Sequence, residues 1–314
     1  MTLPTVADKR AMAKPLDTSS GDILPDRRAD YAEMLFGSGE AGPAAELMLG
    51  ALELAPGWAM GWFRLGEFHE AAGDIDAAVQ AWRMAQKLDP ADRAGAGLKL
   101  AIAGATPAVA MPPSAFVEAL FDQYAEKFDH ALVDTLGYRV PELLAEAIAG
   151  VRPGRFGLVL DLGCGTGLMG ERLKPFCDRL EGFDISAEML RKARAKSVYD
   201  RLEKADLQMF SYDGPKAGLV TAADVFMYVG ALDGIVKTVA GLLGDDGLFA
   251  FSVEKLTGDG DFELQPSRRY AHSETYIRRV LHDAGLSVLS LDERIIRLDR
   301  KEPVRGLIAT ARLP

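Results

Sequence analysis

Asparagine is absent from all 314 residues, so every motif that needs an Asn amide, glycosylation sequons included, is excluded. Cysteine is nearly absent. Cys164 and Cys177 are too few for a disulfide framework or a cysteine-based zinc site, and both are expected to be reduced. The four histidines, at 69, 130, 272 and 282, show no metal-ligand spacing, and no metal is expected. No apolar run approaches the roughly 20 residues that span a bilayer. Residues 1–20 carry Asp8, Lys9, Arg10, Lys14 and Asp17 where a signal peptide would be apolar. A cytoplasmic chain without membrane contact is the expectation. Basic runs are missing too: 36 Lys and Arg face 46 Asp and Glu, for a net charge of −10 and a pI near 5.0. Affinity built on neutralising phosphates needs a basic face, so nucleic acid is not expected as a partner. What is there, 48% hydrophobic and 26% charged residues, excludes disorder as the main state and suffices for two ordinary domains.

Residues 27–105 carry an internal repeat. From Trp62 onward, Leu65, Gly66, Gly73, Ala78, Trp82, Ala85 and Pro90 fall at tetratricopeptide offsets, with His69 where an aromatic is usual. Stepping back 34 residues finds Pro56, Ala51, Met48, Ala44 and Gly39 at the places of Pro90, Ala85, Trp82, Ala78 and Gly73. Small residues at Gly66, Ala78 and Ala85 let two antiparallel helices approach, and Pro90 stops the second. An all-α tetratricopeptide-like domain is expected over 26–106, after a flexible N-terminus at 1–25. It is read either as a platform or dimer surface, or as a peptide-binding groove for a protein partner. Pro107, Pro112 and Pro113 mark a linker at 107–113.

From Ser114 the pattern changes to short β-branched runs separated by helical stretches, the signature of a parallel sheet covered on both faces. Candidate strands lie at 156–161, 180–184, 202–205, 219–224 and 248–254, with 286–291 and 304–312 as an antiparallel hairpin at one edge. The expected fold is α/β, a doubly wound seven-stranded Rossmann-like sheet, over 114–314. Ligands of such sheets sit beyond the carboxyl ends of the strands.

After the first strand comes Asp161-Leu162-Gly163-Cys164-Gly165-Thr166-Gly167-Leu168-Met169-Gly170. Its alternate glycines clear the backbone for a ligand's approach. The run 165–170 also satisfies the dinucleotide fingerprint G-x-G-x-x-G, so a nicotinamide-dependent dehydrogenase must be weighed. Asp161 disfavours that alternative, since a carboxylate there repels a pyrophosphate and suits a ligand carrying ammonium and sulfonium groups. Asp184 ends the second strand 21 residues after Gly163, in the place to accept ribose hydroxyls.

The run from Val159 to Gly167, together with Asp184, resembles class I S-adenosylmethionine-dependent methyltransferases, and the resemblance extends over 114–314. With the repeat, the chain looks like the bacterial methyltransferases that carry tetratricopeptide repeats. The resemblance implies S-adenosylmethionine as cofactor. It implies that Asp161, Gly163, Cys164, Gly165 and Gly167 surround the methionine part, and that Asp184 and Ile185 contact ribose and adenine. It further implies that Asp206 and Leu207 contact adenine, and that Asp224 lies beside the reactive methyl. The helix at 121–129 resembles a lid, with Tyr124 and Phe128 on one face. Plainer readings stand beside these: Cys164 as a small filler, Asp206 as a helix cap, Tyr124 and Phe128 as core.

Methyl transfer is an in-line displacement, so positioning dominates, and a base is needed only for a protonated acceptor. Glu254 and the run Arg268-Arg269-Tyr270-Ala271-His272-Ser273 follow the fifth strand. His272 is the expected base, Tyr270 and Glu254 its companions, and the arginines a seat for an anionic acceptor. Against this, Ser273 caps the next helix with His272 at the surface, and the arginines pair with nearby acids. The expected activity is methyl transfer to an O, N or S atom of a small molecule. A protein acceptor held by the repeats, or an inactive cofactor-binding scaffold, are the alternatives.

Overall fold

Two units, 1–94 and 95–314, divide the chain in the computed structural model, which describes residues 18–107, 109–126, 128–129, 137–299 and 302–314. Of the expected N-terminal tail, residues 1–17 lie outside the described residues, and the first helix starts at Ile23, inside the remainder. The first unit holds α1 (Ile23–Gly37), α2 (Ala41–Leu52), α3 (Ala59–Ala71) and α4 (Ile75–Leu88). Asp22 caps α1 by accepting from the Leu24 N–H, and Asp74 caps α4 by accepting from the Ala77 N–H, both at 3.0 Å. Gly39 and Gly73, at φ +90° and +82°, make the turns after α1 and α3. A Cβ on Gly66 would fall 2.3 Å from the Trp82 ring, so only glycine admits that contact between α3 and α4.

The division at 94/95 comes earlier than the linker expected at 107–113. The reason is packing: Gly95, at φ +75°, places its backbone where a Cβ would be 2.7 Å from the Phe116 ring, joining α5 (Ala96–Ile102) to the second unit. The proline stretch is tied down as well. The Val109 carbonyl accepts from the Tyr270 hydroxyl at 2.7 Å, that of Ala110 from the Ala231 N–H at 3.0 Å, and that of Pro112 from the Gln208 amide at 2.8 Å. It behaves as a strap, tied to the second unit by these three carbonyls.

Five parallel strands form the second unit's centre in the order β3-β2-β1-β4-β5. They are β1 (Phe156–Leu162), β2 (Cys177–Asp184), β3 (Arg201–Lys204), β4 (Ala217–Ala222) and β5 (Leu243–Lys255). Alternate residues feed opposite faces: Leu158, Leu160 and Leu162 enter one core and Val159 the other. Helices α7 (Val140–Val151), α8 (Leu168–Leu173), α9 (Ala187–Lys196), α10 (Asp233–Leu242) and α11 (Glu274–Asp283) flank the sheet, while α6 (Ser114–Tyr124) packs on α9. The hairpin β8 (Ser287–Asp299) and β9 (Glu302–Arg312) adds on antiparallel through β9 against β5.

Among the described residues the sheet has nine strands: the five parallel strands and the β8–β9 hairpin make up the expected seven, and a short hairpin adds two more. β6 (Phe262–Leu264) and β7 (Tyr270–His272) form a short hairpin whose second strand continues the sheet beside Glu254 and Lys255. Three-residue strands carry too little alternation to stand out from a loop. No described helix is long and apolar enough to cross a membrane.

Candidate active site

Beyond the carboxyl ends of the parallel strands lies a cavity of about 440 Å³, built wholly within the second unit. Because β1 and β4 are neighbours while their chain connections run outward in opposite directions, their ends leave a crevice. Four of the parallel strands deliver residues to it: Gly163 to Thr166 after β1, Asp184 and Ile185 from β2, Asp206 and Leu207 after β3, and Asp224, Val225 and Met227 to Val229 after β4. Arg268 and Arg269 come from the β6–β7 turn, Arg297 from β8, and α6 supplies a roof of Phe116, Val117, Leu120 and Phe121.

Gly163, Gly165 and Gly167 take φ of +65°, +54° and +93°, a left-handed path that L side chains resist. A Cβ on Gly163 would lie 2.4 Å from Val225, whereas at Gly165 the nearest atom is on Phe128 at 4.0 Å, so Gly165 faces open space. Asp184 holds this loop in place. One of its carboxylate oxygens accepts from the Gly165 N–H and the other from the Ser186 N–H, each at 2.8 Å. Burial raises its pKa to about 6, against the lowering effect of those two N–H groups. Each oxygen keeps one acceptor position.

Asp161 departs from its expected place. It is fully buried and does not line the cavity; one oxygen accepts from the Tyr199 hydroxyl at 2.7 Å and the other from the Thr221 hydroxyl at 2.8 Å. Burial pushes its pKa to about 6, the two hydroxyls pulling the other way. Gly167 also lies off the cavity, where a Cβ would meet the Tyr199 ring at 3.1 Å. Tyr199 is the residue sequence reasoning missed: Cβ atoms on Gly170 and Gly182 would lie 2.4 and 2.8 Å from it. The last glycine of the apparent dinucleotide fingerprint therefore admits a tyrosine ring.

Asp206 serves both readings. It lines the cavity, yet one oxygen caps the following turn through the Gln208 N–H at 2.9 Å and the other accepts from Ser114 at 2.6 Å. Cys164 lines the cavity as a buried filler, its thiol pushed well up by burial. Tyr124 and Phe128 both line the cavity, Tyr124 being 56% exposed and Phe128 packing edge-on to Phe121.

Glu118, Asp122 and Glu126 repeat every four residues and pin the roof by its polar stripe. Glu118 meets Lys204 at 2.5 Å, Asp122 accepts from the Ser186 hydroxyl at 2.5 Å, and Glu126 meets Lys192 at 2.6 Å. Asp129 closes the series with a hydrogen bond from Thr166 and an ion pair with Lys196.

The expected catalytic trio is not in the cavity. His272 is fully buried, its Nε2–H donating to the Val229 and Gly230 carbonyls at 3.0 and 2.9 Å, and burial lowers its pKa to about 4. Tyr270 donates to the strap, and Glu254 is ion-paired with Arg297. Tyr270 and His272 share a strand face, so the alternation of β7 sends both away from the cavity that Arg268 and Arg269 reach. Ser273 does cap α11, accepting from the Tyr276 N–H at 3.2 Å.

At the end of β4, Asp224 takes φ +59° and donates its N–H to Ser252 at 2.9 Å. Its carboxylate accepts from Arg297 at 3.1 and 3.2 Å, and Arg297 also binds Glu254. The sequence gives no local sign of this pairing, since 73 residues separate Asp224 from Arg297.

The signature of the methyltransferase domain family matches residues 135–291, half of the chain. Methyltransferase-like protein 27 of Homo sapiens is 35% identical over 115 residues, covering 36% of this chain and 45% of that protein. Malonyl-[acyl-carrier protein] O-methyltransferase of Geobacter sulfurreducens is 34% identical over 131 residues, covering 39% and 46%. The chain thus spans about half the length of the curated relatives it matches. Among solved structures, the N-methyltransferase NodS of Bradyrhizobium japonicum, in complex with S-adenosyl-L-homocysteine, superposes with a TM-score of 0.50 at 20% identity. That match covers 63% of this chain and 98% of NodS, and it is a likeness of fold. A parallel sheet in this strand order, a glycine loop stitched to the acid ending β2, and the family match lead to one assignment: the chain belongs to the methyltransferase domain family, with the class I fold and S-adenosylmethionine as its cofactor.

Proposed function

We propose that this chain transfers a methyl group from S-adenosylmethionine to a small-molecule acceptor lodged in the same cavity. The observation that carries the reading is the division of the cavity by sheet order. Asp184 and Asp206 lie at the ends of β2 and β3, on one side of β1, while Asp224 and the three arginines lie on the side of β4, β5 and β8. The first side suits a nucleoside: Asp184 and Ile185 would take ribose and adenine, and Asp206 with Leu207 the adenine edge. Gly163, Cys164 and Gly165 would flank the methionine part, Asp224 would lie toward the methyl, and Tyr124 with Phe128 would cover the whole. Asp161 and Gly167 support the loop from behind.

When bound, S-adenosylmethionine supplies a methyl group on a cationic sulfur, and its transfer to an O, N or S nucleophile leaves S-adenosylhomocysteine. The protein's contribution is position and exclusion of water. The loop and the acids fix one partner, the apolar roof of α6 dries the space, and the second side orients the other partner within about 3 Å. Relatives named malonyl-[acyl-carrier protein] O-methyltransferase put oxygen among the candidate nucleophiles. The helical unit fits a tetratricopeptide-like reading, because Gly39 and Gly73, 34 residues apart, make equivalent left-handed turns. That unit is the candidate seat of a protein partner.

The deciding experiment is calorimetry with S-adenosylmethionine and NADH, followed by a screen for S-adenosylhomocysteine release across a broad acceptor panel. Micromolar binding of the first compound, none of the second, and release with at least one acceptor are expected. Binding without release from any acceptor would leave a scaffold instead.

A further inference from the structure

The acceptor side of the cavity is rich in guanidinium groups, and one of them is poorly met by the protein itself. Arg297 is ion-paired within the protein: Asp224 takes two of its hydrogen bonds, Glu254 another, and the Met227 sulfur lies 3.7 Å away. Arg268 lies over the Phe116 ring at 5.2 Å. Arg269 differs. An arginine offers five N–H donors. Among the described residues, the one side-chain hydrogen bond Arg269 makes is from Nε to the Tyr228 hydroxyl at 3.4 Å, at the weak limit of such bonds. Its nearest carboxylates are Glu254 at 3.9 Å, already committed to Arg297, and Asp299 at 3.8 Å, half exposed. The side chain is nevertheless 73% covered.

The local backbone is shaped to present this group. The turn joining β6 to β7 is closed by the Gln265 N–H donating to the Arg269 carbonyl and the Arg268 N–H donating to that of Gln265, both at 2.8 Å. Arg268 is held at φ +62°, a conformation costing an L residue about 1 kcal/mol or more and retained only where the surroundings impose it. Most of the donors of this guanidinium are left unused, and a ligand supplying two acceptors in the plane of the fork would match them. Apolar side chains of Phe116, Val117, Leu120 and Phe121 surround the remaining space.

We infer that the acceptor is a carboxylate with a compact apolar body, its anionic group held by Arg269 beside the Tyr228 hydroxyl. This rests on the methyltransferase reading above and narrows it. Such a molecule is ionised at neutral pH, so a methyl-accepting carboxylate oxygen needs no base, in keeping with His272 lying outside the cavity.

The test uses the full chain saturated with S-adenosylhomocysteine, with 3-phenylpropionate and 3-phenylpropanamide as matched probes in titration calorimetry. The acid is expected to bind at least tenfold more tightly than the amide, and to weaken as salt is raised. Arg269→Gln should abolish that preference while keeping S-adenosylhomocysteine affinity within about twofold. Arg269→Lys, which keeps the charge and loses the fork, should bind the acid threefold to tenfold more weakly than the parent. It carries the test should Arg269→Gln fail to fold. Equal binding of acid and amide, no binding of the acid, or an undiminished preference in the folded variant overturns the inference. Failure of the parent chain to bind S-adenosylhomocysteine is a separate result, and defeats the underlying methyltransferase reading along with it.

Discussion

Burial at single residues shifts two pKa values in opposite directions. His272 has a folded pKa of about 4 against an unfolded value near 6.5. The unfolded chain therefore binds the extra proton between those values, and stability falls as pH drops from about 6.5 toward 4, by roughly 3 kcal/mol in total. Replacing His272 with Gln removes that dependence, so the parent should lose more stability than the variant between pH 7 and 4.5 in urea titrations. Identical losses would refute the buried neutral imidazole. Asp184 runs the other way, its folded pKa of about 6 lying above the ordinary value of 3.8. If the ionised form receives the cofactor, S-adenosylmethionine affinity should fall by up to about tenfold per unit below pH 6. Asp184→Asn should bind weakly and flatten the profile, and calorimetry between pH 5 and 8 would show it. These two residues also mark what a sequence can display. Asp184 was legible because a strand ending in an acid has one place to go. His272 was not, because burial of a three-residue strand depends on the strap and the β4–α10 loop packed around it.

Among the elements, α6 is the one whose attachments differ most in strength. Glu118 and Glu126 make ion pairs open to solvent, which contribute little to stability. Asp122 accepts from the Ser186 hydroxyl at 2.5 Å, a bond to a charged group worth about 1.5–3 kcal/mol. Asp122→Ala should thus accelerate amide hydrogen exchange across Ser114–Tyr124 by tenfold or more, leaving β1, β4 and β5 protected. Glu118→Gln should change it little. Equal effects from the two would show that the helix is held by its apolar face alone. The strands themselves are readable from their β-branched runs, but in sequence the strap reads as a linker: prolines indicate where a chain cannot be helical and say nothing of which donors its carbonyls find. Arg297 was hidden for a similar reason. A hairpin strand 73 residues from Asp224 declares its alternation, while its neighbour across the sheet end is settled only by folding.

At the scale of the whole molecule, every residue lining the cavity lies between Ser114 and Arg297. A fragment comprising residues 95–314 should therefore bind S-adenosylmethionine within about threefold of the full chain. A loss of a hundredfold or more would show that the helical unit contributes to the site. The family signature likewise falls wholly within the second unit.

The ring of Tyr199 occupies room that Gly167, Gly170 and Gly182 leave vacant, and its hydroxyl reaches Asp161. Five positions on separate elements are thereby bound into one inheritance. Alanine at Gly170 alone should cost about 1–3 kcal/mol, and much of it should return when Tyr199 is shortened in the same chain. Across related chains the tyrosine and its glycines should come and go together, so a lineage that trades the aromatic for a small side chain becomes free to lose the hallmark glycine spacing while keeping its cofactor.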